Sequence, residues 1–246
     1  KLKEISPRNG KTNMITRKQF RRFPLIGRFL SQVEHSTLLQ YDALALHHLQ
    51  SEMPKFYLPW TGSSVAPSSL RIMLNEIVIG QKKLLVEFGS GMSTIFFAKT
   101  LKQIGGKLVS VEQDAHWLEI VRNLLKSEHL EDFVDLVHCP IDGQSSLSWY
   151  HVGKLNKALE SREFDFAFVD APISSHGHPK VREPAAAFLQ DFLLDDFTVF
   201  LDDMNREGEQ AIAEEWQKRY GWHREDFWAR GTVSAFRSKR APFKIC

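Results

Sequence analysis

The stretch Leu84-Leu85-Val86-Glu87-Phe88-Gly89-Ser90-Gly91-Met92-Ser93-Thr94 constrains this chain more than any other. Its short apolar run reads as a buried strand. Gly89 and Gly91 then let the backbone turn sharply and approach a ligand with no Cβ in the way, and Ser93 and Thr94 suit the start of a helix. Strand, glycine turn and helix in this order seat a nucleotide-bearing cofactor in α/β proteins, so the turn from Gly89 through Ser90 and Gly91 to Ser93 and Thr94 is expected to bind one. Glu87, two positions before the first glycine, argues against a pyrophosphate, which its charge would repel, and suits a cationic or zwitterionic ligand.

From Lys83 onward the pattern alternates strand and helix, which predicts a mostly parallel sheet covered on both faces. Strands are predicted at 84–88, 107–111, 133–138, 164–169 and 197–201, and helices at 92–103, 114–127, 145–159, 181–194 and 206–219. The stretch from Trp222 to Arg237, with Gly231 between two strand-like runs, predicts a closing antiparallel hairpin. The second strand leads into Glu112, whose carboxylate can accept hydrogen bonds from both hydroxyls of a ribose. Glu112 lies 23 positions after Gly89, close to the spacing of about 20 expected for a ribose-binding acid in a βαβ unit. Gln113 follows it as a second cofactor contact, while Asp114 reads as the cap of the next helix.

These residues resemble the first motif of the class I S-adenosylmethionine-dependent methyltransferases: an acid, any residue, then glycines at alternate positions. Ser93 stands where the third glycine usually falls. The resemblance extends from about position 84 to about position 237. It implies a Rossmann-like seven-stranded sheet ending in an antiparallel hairpin, S-adenosylmethionine as cofactor, and methyl transfer to a small-molecule acceptor. It further implies that the Trp60-Thr61-Gly62-Ser63-Ser64 segment folds back over the cofactor, with Trp60, Thr61 and Ser63 as candidates to close the pocket. Asp142, in the loop after the third strand, is expected at the adenine edge; Asp before Gly143 also reads as an ordinary turn.

Acids recur at the ends of the later strands: Asp170 after the fourth, and Asp202-Asp203 after the fifth. This resembles the metal-dependent catechol and caffeoyl-CoA type O-methyltransferases, although an Asp-Asn pair is usual where Asp202-Asp203 stands. The resemblance implies a divalent cation, Mg2+, held by Asp170, Asp202 and Asp203, since a hard cation takes oxygen ligands. The alternative is that Arg206 or Lys180 neutralises the cluster, or that one acid is protonated or caps a helix. Catalytic candidates are Asp170, Asp203 and His176, a general base from the polar loop that also carries His178. A phenol-like hydroxyl has a pKa of about 10 and benefits from a base or a metal, so oxygen is the expected acceptor atom.

Three segments are expected: a basic arm at 1–34, a helical extension at 35–82 that packs on the core, and the cofactor-binding domain at 83–246. The arm carries nine basic residues against Glu4 and Glu34, with aromatics interleaved. It reads first as a solvated tail packing a few aromatics onto the domain, with a site for anionic lipid or nucleic acid, such as weak membrane-surface contact, as the alternative. Pro24 and Gly27 are expected to interrupt any long helix there, and a helix is predicted from Ser36 to about Ser51. A formal net charge of +2 does not favour nucleic acid as the main partner, and nothing in the sequence specifies an oligomeric state. Two cysteines give neither a disulfide framework nor a zinc site and suit a reducing cytoplasm. No apolar run approaches the roughly 20 residues of a membrane-spanning helix. Glu87, together with Thr94 in the place of the fingerprint's third glycine, disfavours a nicotinamide-dependent dehydrogenase. A binding protein that kept the fold and lost the chemistry is the remaining rival.

Overall fold

Strands buried on both faces of a sheet need continuous apolar runs rather than alternation, and Leu85, Val86 and Phe88, all fully buried, form the centre of such a sheet. In this computed structural model, residues 24–57, 59–142, 149–174, 178–227 and 232–240 are described. In chain order the elements are α1 (Pro24–His48), α2 (Pro67–Ile79), β1 (Leu84–Phe88), α3 (Met92–Ile104), β2 (Lys107–Glu112), α4 (Ala115–Ser127) and β3 (Val134–His138). There follow α5 (Val152–Leu159), β4 (Phe164–Val169), α6 (Pro184–Leu189), β5 (Leu193–Leu201), α7 (Glu207–Tyr220), β6 (His223–Asp226) and β7 (Ser234–Arg237).

The seven strands form one sheet in the order β3-β2-β1-β4-β5-β7-β6. The first five run parallel, and β7 lies antiparallel to both β5 and β6, which is the expected closing hairpin. Register decides where the chemistry can be. Phe88 lies opposite Val111 on one side and Val169 on the other, and Val169 lies opposite Leu201. The residues that come next, Gly89, Glu112, Asp170 and Asp202, therefore emerge together at one rim. That rim is also where the strand order reverses between β1 and its two neighbours, the place where open α/β sheets bind ligands.

Each face of the sheet has its own apolar layer. On one, Leu70, Ile72, Met73, Phe96 and Phe97 from α2 and α3 pack on Leu85, Phe166 and Phe168. Phe97 meets Phe166 and Phe168 edge-on, at centroid distances of 5.7 and 6.1 Å, the geometry the aromatic quadrupole favours. On the other, Leu155, Ala185, Ala186, Ile212 and Trp216 cover Val86, Phe88 and Val109.

Three expectations are corrected. Of the helix placed at 145–159, residues 145–148 lie outside the described residues, and the helix begins at Val152, because the His151 ring accepts the Lys154 N–H and caps it there; Tyr150 instead pairs with Ile141 in a short bridge. The helix placed at 181–194 covers only Pro184–Leu189, since Leu193 already pairs with Phe164 as the start of β5. α1 begins at Pro24 and continues through Gly27. Proline is favoured in a first helical turn, where its missing N–H has no partner to lose, and one internal glycine weakens a helix without ending it. α1 is tied to α2 by Asp42, whose Oδ1 accepts from the Ser68 N–H at 3.1 Å and from its hydroxyl at 2.6 Å, supplying the cap that Ala66 cannot. Among the described residues, no helix is long and apolar enough to cross a membrane.

Gly89 has φ +103°, and a Cβ there would stand 3.0 Å from the Ala171 Cβ. Gly89→Ala is expected to cost roughly 1–3 kcal/mol through backbone strain, read as a lowered midpoint in urea denaturation. An unchanged midpoint would mean that the turn relaxes freely.

Candidate active site

At the rim lies a cavity of about 340 Å3, within reach of the roughly 300–1,000 Å3 typical of small-ligand sites. One wall is the glycine turn, Gly89 to Ser93; a second is Glu112, Gln113, Asp114 and Trp117; a third is Asp170, Ala171 and Ile173. Thr61 and Ser63, from the segment before α2, also line it. Trp60 packs against the core instead.

Glu112 is held from behind. Its Oε1 accepts the N–H groups of Gln113 at 2.7 Å and Asp114 at 2.9 Å, and its Oε2 accepts that of Ser90 at 3.1 Å. Burial raises its pKa above the ordinary carboxylate range, and these three backbone donors work against that rise. One acceptor site, on Oε2, remains for a ribose hydroxyl. Gln113 Oε1 is buried on this wall with no hydrogen-bond partner, an acceptor that a ligand donor would satisfy. Asp114 caps α4 by accepting from the His116 and Trp117 N–H groups, and the Trp117 indole donates to the Ser90 carbonyl at 2.7 Å, bracing the turn. An adenosyl ligand fits this donor and acceptor set.

Glu87 is placed differently from expectation. It is fully buried beneath the turn, outside the cavity lining, and accepts from the hydroxyls of Ser93 at 2.9 Å, Ser110 at 2.7 Å and Thr94. Thr94 in turn accepts the Gly91 N–H at 2.8 Å. Glu87 and Thr94 thus fix the floor of the turn, and Ser93 alone of this group lines the cavity. Asp142 also lies outside the lining; its N–H donates to the Trp149 carbonyl at 2.8 Å.

Desolvation raises the pKa of Glu87 from 4.5 to about 7, against the pull of its three hydroxyl donors. Because the folded value lies above the unfolded one, its stabilising contribution is complete below pH 4.5 and is lost as pH rises through about 7. Relative to Glu87→Gln, the wild type is expected to lose on the order of 3 kcal/mol between pH 4.5 and pH 8. Urea denaturation of both proteins at the two pH values measures this. Parallel changes would show that Glu87 does not titrate in that window.

The acids of the fourth and fifth strand ends do converge, but around an arginine that sequence reasoning missed. Arg182 is 2% exposed; its Nη2 donates to Asp170 Oδ1 at 3.2 Å and its Nη1 stands 3.0 Å from Asp203 Oδ2. Arg206, one of the two cations expected there, lies 2.8 Å from the same Asp203 oxygen. Asp202 is buried and accepts from the Thr232 hydroxyl at 2.9 Å; burial first, then the Asp170 and Asp203 charges, raise it well above its usual range. Of the three, only Asp170 lines the cavity. The Mg2+ expectation is not supported by this donor set, in which two of the three carboxylates are already bound to a guanidinium. No cluster of three or more metal-ligating side chains occurs among the described residues. His176 lies outside the described residues, and His178 is exposed and outside the cavity lining.

Residues 86–204 match a family described as a methyltransferase domain. Solved structures of the same fold include an O-methyltransferase from Bacillus cereus in complex with S-adenosylhomocysteine, at 18% identity over 82% of this chain and 90% of that one, with a TM-score of 0.52. A methyltransferase from Podospora anserina bound to S-adenosylhomocysteine is 16% identical over 97% of this chain and 100% of that one, TM-score 0.52. One from Geobacter sulfurreducens is 16% identical over 80% and 90%, TM-score 0.51. No curated protein matches the chain in sequence. The fold is thus that of the Rossmann-like methyltransferases. The part of the chain that matches the methyltransferase-domain family carries the glycine turn, Glu112 and Asp170.

Proposed function

We propose that this chain transfers the methyl group of S-adenosylmethionine to a hydroxyl oxygen of a small-molecule acceptor, with Asp170 taking the hydroxyl proton. Residues 83–246 carry cofactor and chemistry, and the 35–82 segment closes the pocket through Thr61 and Ser63. The observation that carries this reading is one cavity running from Glu112 past the glycine turn to Asp170. When bound, the cofactor supplies a methyl group activated by a sulfonium.

The chain's own residues then have three tasks. Glu112 and the turn fix the adenosyl end, and holding two reactants in line supplies roughly 7–11 kcal/mol of barrier reduction. Ala171 and Ile173 line the cavity beside Asp170 and offer apolar surface to an acceptor. Asp170, whose side chain retains 19% exposure, provides the base. Burial lifts its pKa from 3.8 to about 6, with Asp203 and Glu87 adding to the rise and Arg182 and Arg206 opposing it. A base of that strength is ionised at neutral pH yet accepts a proton more readily than an ordinary aspartate.

The test is titration calorimetry with S-adenosylmethionine and, separately, NAD, followed by transfer of labelled methyl to a panel of phenols, alcohols and amines. Binding of the first ligand only, with label appearing on hydroxyl compounds, is the expected result. Binding with no transfer to any acceptor would favour a non-catalytic protein, and label on amines alone would overturn the choice of oxygen.

A further inference from the structure

We propose that Arg182 is the built-in cation of this site, a positioning residue whose guanidinium occupies the place a divalent ion would need between Asp170 and Asp203, so that methyl transfer runs without a metal. The inference rests on the methyl-transfer reading, and it narrows the acceptor class: a chelating metal needs two neighbouring oxygens on the substrate, whereas this site needs one hydroxyl.

Two polar edges of Arg182 donate hydrogen bonds, and the third lies at ion-pair distance from two carboxylates. Nε donates to the Pro172 carbonyl at 3.1 Å, Nη2 donates to Asp170 Oδ1 at 3.2 Å, and Nη1 lies 3.0 Å from Asp203 Oδ2 and 3.9 Å from Glu209 Oε1. Pro172 and Asp170 belong to the segment that follows β4, Asp203 to the segment after β5, and Glu209 to the first turn of α7. One planar side chain therefore ties three segments of the rim together. Arginine suits this because its fork matches carboxylate oxygens and it keeps its charge at any working pH.

Arg182 has little freedom to leave. It lies in a turn between Pro179 and Glu183 that α7 clamps: the Trp216 indole donates to the Glu183 carbonyl at 3.0 Å, and Gly208 packs so close that a Cβ there would be 2.0 Å from the Pro179 carbonyl oxygen. A metal bound by Asp170 and Asp203 would take oxygen ligands at about 2.0–2.6 Å. It would then share both carboxylates with a fixed positive charge, which disfavours the ion. Asp202 is buried and lies outside the cavity lining.

Arg182→Met should convert the cluster into a cation site. Mn2+ alone is the probe, titrated to 1 mM against the full chain and followed by electron paramagnetic resonance of the free ion. Wild type is expected to leave Mn2+ free, Arg182→Met to bind it at least tenfold more tightly, and the added change Asp203→Asn to abolish that gain. Arg182→Lys, which keeps the charge, is expected to behave as wild type. Binding of Mn2+ by wild type that Asp203→Asn removes would overturn the proposal, as would a folded Arg182→Met protein that leaves the ion free. If Arg182→Met does not fold, wild type and Arg182→Lys decide: free ion in both supports the proposal, and bound ion in wild type overturns it. Calorimetry of wild type with S-adenosylhomocysteine in EDTA is read separately. Loss of that heat would count against the methyltransferase reading and leave the Mn2+ result standing.

Discussion

Glu112→Ala is expected to weaken S-adenosylhomocysteine binding by roughly 10- to 150-fold, because the substitution removes a hydrogen bond to a charged acceptor, worth about 1.5–3 kcal/mol. The carboxylate's orientation is fixed before any ligand arrives by the Gln113, Asp114 and Ser90 N–H groups, so little ordering has to accompany binding. The same three donors complicate the experiment, since alanine leaves them without their acceptor and water will enter. Glu112→Gln separates the two effects. It keeps an oxygen for the Gln113 and Asp114 N–H groups but loses the charge and the acceptor beside Ser90, and it should fall between alanine and wild type. Calorimetry on all three proteins, with melting temperatures as a check on folding, measures this. A loss below threefold for the alanine variant would remove the ribose assignment.

The frame of the fold was readable because its signals are local. Four of the five parallel strands run into a glycine or an acid at their ends, and β1, β2 and β4 begin and end within a residue of their predicted limits. Where prediction failed, a distant partner had decided the local structure. Phe192-Leu193-Leu194 carries no strong helix or strand signal of its own, and only the pairing of Leu193 with Phe164 starts β5 there. Pro24 and Gly27 are ordinary helix breakers that a long α1 accommodates at its first turns.

The site divides along the same line. Gly89, Ser90, Gly91, Ser93, Glu112 and Gln113 line the cavity because they belong to a motif that is contiguous or nearly so in the chain. Glu87 has the right position in that motif but, as a residue within a doubly buried strand, points its carboxylate down among hydroxyls. Arg182 has no motif around it. Its partners are 12, 21 and 27 positions away, and nothing in Lys180-Val181-Arg182-Glu183 marks a cation that the fold buries. A run of acids suggested a metal because the acids are near one another in sequence and their counter-ion is not.

Asp170→Asn is expected to lower kcat by roughly 100- to 1,000-fold, within the range by which a positioned general base accelerates proton removal, with an acceptor taken from the labelled-methyl screen. Asparagine keeps an oxygen for the Arg182 Nη2 bond, so the rim should hold its shape and cofactor affinity should change less than threefold. The pH dependence separates this from a structural effect. Asp170 acts as a carboxylate, so wild-type kcat should rise with pH through about 6 and level off above it. The variant, with no group titrating at that position, should lose that inflection. The rising limb must also follow Arg182: losing that guanidinium removes the largest charge effect now holding the Asp170 pKa down, so Arg182→Met should move the inflection upward. Retention of the wild-type limb in Asp170→Asn would mean that another group takes the proton, and the polar loop at 173–180 would then become the place to look for it.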